Sequence, residues 1–385
     1  MDKALPPTRF DSLETPCLLL DADRMQANIV RLRSRLARLG VHLRPHLKTA
    51  KSIEVARVVT AGGTGPITVS TLKEAEYFVS HGFKDILYAV GITPNKLGHV
   101  FDLRRRGADL TILLDNLDSA KAVAAAARAA GDRLPVLIEI DCDGHRSGVQ
   151  PGDTGRLVAI GRVLQDGGSA LAGVMTHAGS SYDCRDEPSL VAVAEAERAA
   201  AVRAAEALRA AGLPCPAVSV GSTPTAFAAR DLAGVTEVRA GVFVFFDLVM
   251  AGIGVCAPDD VALSVLATVL GHQRDKGWII VDAGWMAMSR DRGTARQPLD
   301  QGYGLVCDAD GRPYADLIMI DANQEHGILA VRSGSAASCP DLPVGSSVRI
   351  LPNHACATGA QHDRYHVVRG GDRHVHAVWQ RFNGW

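Results

Sequence analysis

Asp85-Ile86-Leu87-Tyr88-Ala89-Val90, Asp109-Leu110-Thr111-Ile112-Leu113-Leu114 and Pro135-Val136-Leu137-Ile138-Glu139-Ile140-Asp141 are short β-rich runs. Between them lie Asn95–Arg106 and Asn116–Ala130, which carry a helical pattern. Strand–helix alternation at this spacing implies a parallel sheet with crossover helices. Working outward, the same texture continues. His42–Leu47, Pro66–Ser70, Leu171–His177, Ala217–Val220 and Glu237–Ala240 bring the strand candidates to eight, with helical stretches at Thr71–His81, Asp153–Gln165 and the long, Ala-rich Glu187–Ala211, whose charges are read on one face. Eight such units predict a (β/α)8 barrel. A doubly wound sheet is the alternative, but no Gly-x-Gly-x-x-Gly follows the first strand to support it.

From about Val261 the helical periodicity fades. Ser264–Val269, Gly277–Asp282, Leu317–Ile320, Gly327–Ser333 and Ser347–Leu351 read as strands separated by Gly, Asp and Pro. The expected organisation is an α/β barrel over residues 22–260 and a β domain formed by residues 1–21 and 261–385. On pattern alone the early strand Pro16–Leu20 fits either domain.

Composition narrows the function. A chain of 385 residues suits a barrel plus a second domain. Net charge is −1 with no basic run, so no nucleic-acid partner is expected. No apolar stretch approaches the roughly 18 residues of a membrane span. Met1–Pro7 shows no apolar signal core. Eight scattered cysteines fit a reducing compartment, so the expected location is cytoplasmic.

In such barrels chemistry sits where the strands end. After strand one stands Lys48, within Arg44-Pro45-His46-Leu47-Lys48-Thr49. A Lys against apolar walls favours its neutral amine, as a Schiff-base lysine needs; a solvated Lys at a strand edge is the plain alternative. After strand five, Asp141–Val149 presents Arg146 from a Gly-bracketed turn, suited to an anion or phenolate, though a solvated loop Arg looks the same. After strand six, His177 and Tyr182 could flank a flat ring, though a core His is common. After strand seven, Gly221, Ser222 and Thr223 open a helix and offer N–H groups and hydroxyls to a phosphate; an ordinary helix cap has the same composition. Strand eight places Glu237 and Arg239 on one face, with Gly241 and Val242 following; a surface ion pair is the plain reading. A lysine, a phosphate cradle, an arginine and aromatic walls together describe a pyridoxal phosphate site.

A second signal lies near the C-terminus. His354-Ala355-Cys356 places imidazole and thiol two residues apart, on one face if the segment is a strand. That pair suits zinc and leaves coordination positions open. A buried Cys beside a surface His is the alternative. Gln361–His366 adds His362, Tyr365 and His366 nearby in sequence.

These residues resemble the fold-type III pyridoxal phosphate enzymes, the alanine racemase superfamily. Within it the chain is similar to the D-threonine aldolase and D-serine dehydratase family from about Thr15 to Asp372. Arg44–Lys51 resembles the cofactor-lysine segment. Asp141–Val149 resembles the Arg-x-Gly-Val motif whose arginine faces the cofactor's phenolic oxygen. Asp321–Gly327 resembles a Glu-His-Gly stretch, and the metal pair falls on His354 and Cys356. The resemblance implies an alanine racemase-like barrel with a C-terminal β domain that the first strand may join. It also implies a homodimer, a small D-amino acid substrate, and pyridoxal 5'-phosphate (PLP) with Zn2+ as cofactors. D-threonine aldolases usually carry His-x-Asp at the metal position, whereas D-serine and D-3-hydroxyaspartate dehydratases carry His-x-Cys. Cys356 therefore favours dehydration of a 3-hydroxy D-amino acid to a 2-oxo acid and ammonia. Retro-aldol cleavage is the alternative. Arg239-Ala240-Gly241 resembles the racemase Arg-Pro-Gly segment, which implies Arg239 at the pyridine nitrogen and keeps racemisation open. Some fold-type III proteins are small non-catalytic PLP carriers without an added β domain; the β domain and the metal pair argue against that class. A second substrate carboxylate would need a cation, for which Arg146, Arg290, Arg292 and His177 are candidates.

Overall fold

The computed structural model describes residues 8–144 and 146–385; Met1–Pro7, read above as lacking a signal core, and His145 lie outside them. Two units form. One comprises Arg31–Gly241 with Gly384–Trp385; the other takes the described residues up to Val30 and Val242–Asn383.

The first unit holds eight parallel strands: His42–Pro45, Ile67–Val69, Asp85–Gly91, Asp109–Leu114, Pro135–Ile140, Ala170–Thr176, Ala217–Val220 and Glu237–Ala240. Each pairs with the next in sequence, and the eighth returns to pair with the first. Only the seam between the first two is loose: it is joined by a single bridge, His46 with Thr68, where the Leu47 N–H donates to the Thr68 carbonyl at 2.9 Å. This is the expected barrel, and the returning eighth strand excludes an open doubly wound sheet. Its interior includes Leu87, Leu113, Leu137 and Met175 from consecutive strands.

The helices start where short polar side chains can replace missing backbone partners. Thr71 caps Leu72–Ser80, Asn116 caps Leu117–Ala130, Asp153 caps Thr154–Asp166 and Asp186 caps Glu187–Ala210. Glu237 is not in a surface pair with Arg239. It binds the Arg44 guanidinium at 2.7 Å and accepts from Ser219 at 2.6 Å, and Arg44 also reaches Asp85 at 2.6 Å. Arg44 thereby ties the first, third and eighth strands.

In the second unit, Leu263–Gln273, Ser347–Pro352, Gly304–Cys307, Pro313–Ala322, Gly327–Val331 and Trp278–Val281 pair in that order, antiparallel, and the last returns to Leu263–Gln273. Cys17–Asp21 joins this sheet beside Leu263–Leu266 and runs parallel to Arg364–Val368. The early strand thus belongs with the β unit. So does the segment 242–260, read from sequence as the end of the barrel: the Ala262 N–H donates to Phe245 and the Val249 N–H to Asn353. Among the described residues no helix is long and apolar enough to cross a membrane, and no disulfide forms among the eight cysteines.

Candidate functional site

The strand ends of the first unit gather a charged cluster. Lys48 follows the first strand in a tight turn. It is exposed, not set against apolar walls as expected, because Leu47 takes the inward position at 2 % exposure and the next side chain turns out. His46, before it, bonds Ser70 at 3.3 Å. Burial, with Lys48 and Arg239 as neighbouring cations, holds its ring well below the usual histidine range.

Arg146 faces Glu139 at 3.8 Å. Its turn depends on Gly148, with φ +131°, where a Cβ would stand 2.4 Å from the Asp141 nitrogen. Glu139 is buried and accepts from Ser147 at 3.0 Å; burial raises its pKa, against the pull of Arg146 and Arg239.

His177 donates from Nδ1 to the Gly221 carbonyl at 2.9 Å, which leaves Nε2 as an acceptor. Burial, then Arg146, lowers its pKa to about 3, so the ring is neutral at pH 7. Tyr182 lies 6.4 Å from it between ring centroids. Gly221 has φ +135°, and a Cβ there would sit 2.1 Å from the Arg239 carbonyl oxygen. Only glycine fits that approach.

The loop after strand seven differs from the expected cradle. The Gly221 N–H is taken by Glu197 at 3.1 Å and the Ser222 N–H by Thr225 at 3.0 Å. The Ser222 hydroxyl caps the helix Thr223–Ala228 by accepting the Thr225 N–H at 3.2 Å. Side chains therefore occupy the amides of two of the three expected residues, and none of these bonds uses the Thr223 amide. Gly241 closes the unit beside His46 and Thr49; Val242 belongs to the β unit.

Arg239 is 4 % exposed. Its two terminal nitrogens donate to the Thr176 carbonyl, while its buried Nε–H has no partner among the described residues. Burial works against its charge, and Glu237, Glu197 and Glu139 support it.

Glu197, from the long helix, escaped the sequence reading. Its carboxylate accepts the N–H groups of Ala178 at 2.9 Å and Gly221, fixing the ends of strands six and seven. The helix does not keep its charges on one face: Glu197 is buried in the stripe formed by Leu190, Ala194, Ala201 and Leu208. A charge at helical spacing within an apolar stripe was the available signal.

The metal pair lies in the β unit, but not on a strand. Ser347–Pro352 ends before it; His354 is the extended residue that starts a short helix, Ala355–Gly359, with Cys356 in its first turn. Asp247 holds that helix start by accepting the Ala355 N–H at 3.0 Å. The His354 ring still reaches the Cys356 sulfur. On its other side Nδ1 donates to Asp291 at 2.6 Å, so Nε2 faces away from the carboxylate. Burial opposes a charge on this ring, yet Asp291 and Cys356 outweigh it and raise the pKa to about 11. An imidazole backed by a carboxylate and adjoining a sulfur is a donor set that suits zinc. Among the described residues no third His, Cys, Asp or Glu completes a closed metal cluster. Asp291 was not legible in sequence, being 63 residues from His354. Of the other rings singled out, Tyr365 is fully buried against Phe245, and His362 bonds the Ala287 carbonyl at 3.0 Å; both are structural.

The family model for the alanine racemase N-terminal domain matches residues 20–249. The chain belongs to that family. The putative serine dehydratase domain matches residues 262–368, the β unit that carries His354 and Cys356. The chain is 60 % identical over 376 residues to the D-threo-3-hydroxyaspartate dehydratase of Delftia sp. (strain HT23), covering 97 % of this chain and 98 % of that one. It is 29 % identical to the D-serine dehydratase of Dictyostelium discoideum, covering 96 % of each. Among solved structures it resembles that Delftia dehydratase with a TM-score of 0.95 and 58 % identity over 98 % of this chain and 100 % of the other. A cysteine-to-alanine variant of a D-threo-3-hydroxyaspartate dehydratase, equally similar, is solved in a metal-free form.

Proposed function

We propose that this chain is a PLP- and zinc-dependent dehydratase of small 3-hydroxy D-amino acids, with 3-hydroxyaspartate and serine as the substrate types. The observation that carries the reading is the His354–Cys356 donor pair, with Asp291 fixing the imidazole tautomer. A thiolate selects zinc, whereas a carboxylate in its place would tolerate harder ions. The orphaned Nε–H of Arg239 fits the pyridine nitrogen of the cofactor, and the Thr223 amide and Gly241, in the same unit, suit its phosphate. When bound, PLP supplies an electron sink for the α-carbon and zinc a Lewis acid for the departing hydroxide.

The residues supply the rest. Lys48 would hold the cofactor, and its amine would take the α-proton of the substrate as general base. Its exposed position leaves the amine reachable. His354 through Nε2 and Cys356 through sulfur would hold the zinc. His177 and Tyr182 wall the flat ring, and Arg146 answers the phenolic oxygen. The α-proton and the 3-hydroxyl leave as water, and the resulting enamine tautomerises and takes water back on hydrolysis. The products are a 2-oxo acid and ammonia. A homodimer and a reducing, cytoplasmic setting accompany this reading.

The deciding assay uses purified protein with D-threo-3-hydroxyaspartate and D-serine. Ammonia and 2-oxo acid in equal amounts support dehydration. Glycine plus an aldehyde, without ammonia, replaces the reading with an aldolase.

A further inference from the structure

We infer that Arg290 reads a second carboxylate on the substrate and so separates 3-hydroxyaspartate from serine. The inference rests on the dehydratase reading, and it follows from how one loop is tied to the metal pair.

The loop runs from the short helix Trp285–Met288 to Asp291. Its start is fixed by the Trp285 and Met286 N–H groups, which donate to Asn323 at 2.9 Å and Gln324 at 3.1 Å. Its end is nailed to the segment bearing His354 and Cys356. Thr358 donates to the Met288 carbonyl at 2.6 Å, Asp291 accepts from His354 at 2.6 Å, and the Asn353 amide reaches the Asp291 carbonyl at 3.3 Å. Between these anchors Ser289 adopts φ +74°, uncommon for a residue with a Cβ. Such a conformation is strained and persists where surroundings enforce it, often beside a site.

Arg290 is the residue this turn presents. It is exposed, and its guanidinium carbon lies 4.4 Å from the Trp285 ring centroid. Stacking holds the flat face of the fork and leaves its N–H edge available. Among the described residues no carboxylate pairs with it. Arg292, two residues on, is instead committed to Asp300 at 2.7 Å and lies over Tyr303. Of the cations considered from sequence, Arg290 alone combines a free N–H edge with a rigid link to the metal ligands.

Chemistry supplies the other half. In 3-hydroxyaspartate the extra carboxylate is on the same carbon as the hydroxyl. If His354 and Cys356 mark the place of the hydroxyl, the carboxylate falls beside them; serine carries only hydrogen there. A planar guanidinium matches a carboxylate with two parallel hydrogen bonds.

The test compares Arg290→Gln and Arg290→Lys with the wild-type holoenzyme. The first readout is the ratio of kcat/KM for D-threo-3-hydroxyaspartate to that for D-serine. The second is the ratio of D-aspartate to D-alanine affinity, followed by spectral titration. Arg290→Gln should lower both ratios by about 10–100-fold, as loss of a charge-assisted pair does. Arg290→Lys, which keeps the charge and loses the fork, should fall between. Ratios within about twofold of wild type in Arg290→Gln overturn the assignment. If wild type releases no 2-oxo acid from either substrate, the dehydratase reading fails by itself, and the affinity ratio still decides the role of Arg290.

Discussion

Asp291 stands 2.6 Å from His354 Nδ1, on the side of the imidazole away from any metal held through Nε2. The carboxylate fixes which nitrogen carries the proton and makes the other a better donor. Asp291→Asn keeps the shape and loses the charge. Zinc affinity, measured by competition with a chelator, should fall by about 10–100-fold. The folded state should survive, because the Asn353 and Thr358 contacts to the loop remain. Unchanged affinity would assign Asp291 a purely structural role.

Lys48 is expected to carry the cofactor. Borohydride reduction followed by peptide mapping should label Lys48, and Lys48→Ala should lose the visible absorption of the lysine-bound cofactor. Lys51 is the near competitor, but its ammonium pairs with buried Glu74 at 3.4 Å. Label on Lys51 or Lys73 would sink the assignment.

The barrel was legible because its signals are local. Asp85–Ile140 alternates short β-rich runs with helical ones, and the crossover helix Leu117–Ala130 is capped by Asn116, a polar residue visible in the sequence. The turn bearing Lys48 at the end of the first strand was legible for the same reason, although the exposure of Lys48 was not: that is set by which side chain of a four-residue turn points inward. The pairing of His354 with Cys356 was read from spacing, but its strand reading failed. Asp247 is more than 100 residues away and converts the segment into a helix start by accepting the Ala355 N–H. Asp291 is equally non-local. Ser222 shows the opposite limit, since one composition serves a phosphate loop and a capping box, and only the hydrogen bonds show that its hydroxyl serves the cap.

Ser222 therefore predicts two separable effects. Ser222→Ala removes the cap of Thr223–Ala228 and should cost about 1 kcal/mol of stability. Adding Thr223→Val leaves the backbone amide in place. If the amide rather than the hydroxyls holds the phosphate, the double variant should lose less than about tenfold in PLP affinity, below the 1.5–3 kcal/mol typical of a lost charge-assisted bond. A larger loss in equilibrium titration would show that a hydroxyl binds the phosphate.

His177 gives stability a pH dependence. Its folded pKa of about 3 lies below the ordinary histidine value, so the unfolded chain binds the extra proton between those two pH values. The contribution is therefore fully present above about pH 6.5 and is lost as pH falls toward 3, at up to about 1.4 kcal/mol per pH unit. His46, depressed by the same burial, acts in the same direction. Guanidinium midpoints at pH 7, 5.5 and 4.5 should fall in that order for wild type, and the fall should be shallower in His177→Gln. Identical slopes in the two proteins would show that His177 is not buried neutral.

Cys356 decides between two reactions that share every other group. Its thiolate favours zinc, and only two protein ligands leave room for the substrate hydroxyl. Chelation by EDTA should abolish turnover while the visible absorption of the cofactor remains, because the proposed attachment of the cofactor is to Lys48 and not to His354 or Cys356. Zinc should restore turnover and magnesium should not. In Cys356→Asp the ligand becomes hard, and manganese or magnesium should compete better with zinc. The position tolerates the exchange, since Asp is favoured in the first turn of a helix, where Cys356 sits. Ammonia release should drop at least about tenfold, the loss expected when a ligand that tunes the metal is changed. Glycine and an aldehyde should rise relative to 2-oxo acid, because a harder ion on a carboxylate ligand suits a hydroxyl that loses its proton over one that leaves. Amino-acid analysis beside an ammonia assay reads both products from one reaction. A variant that keeps the wild-type product ratio with zinc and with manganese would show that residue 356 sets metal affinity alone and leaves the choice of broken bond to the barrel.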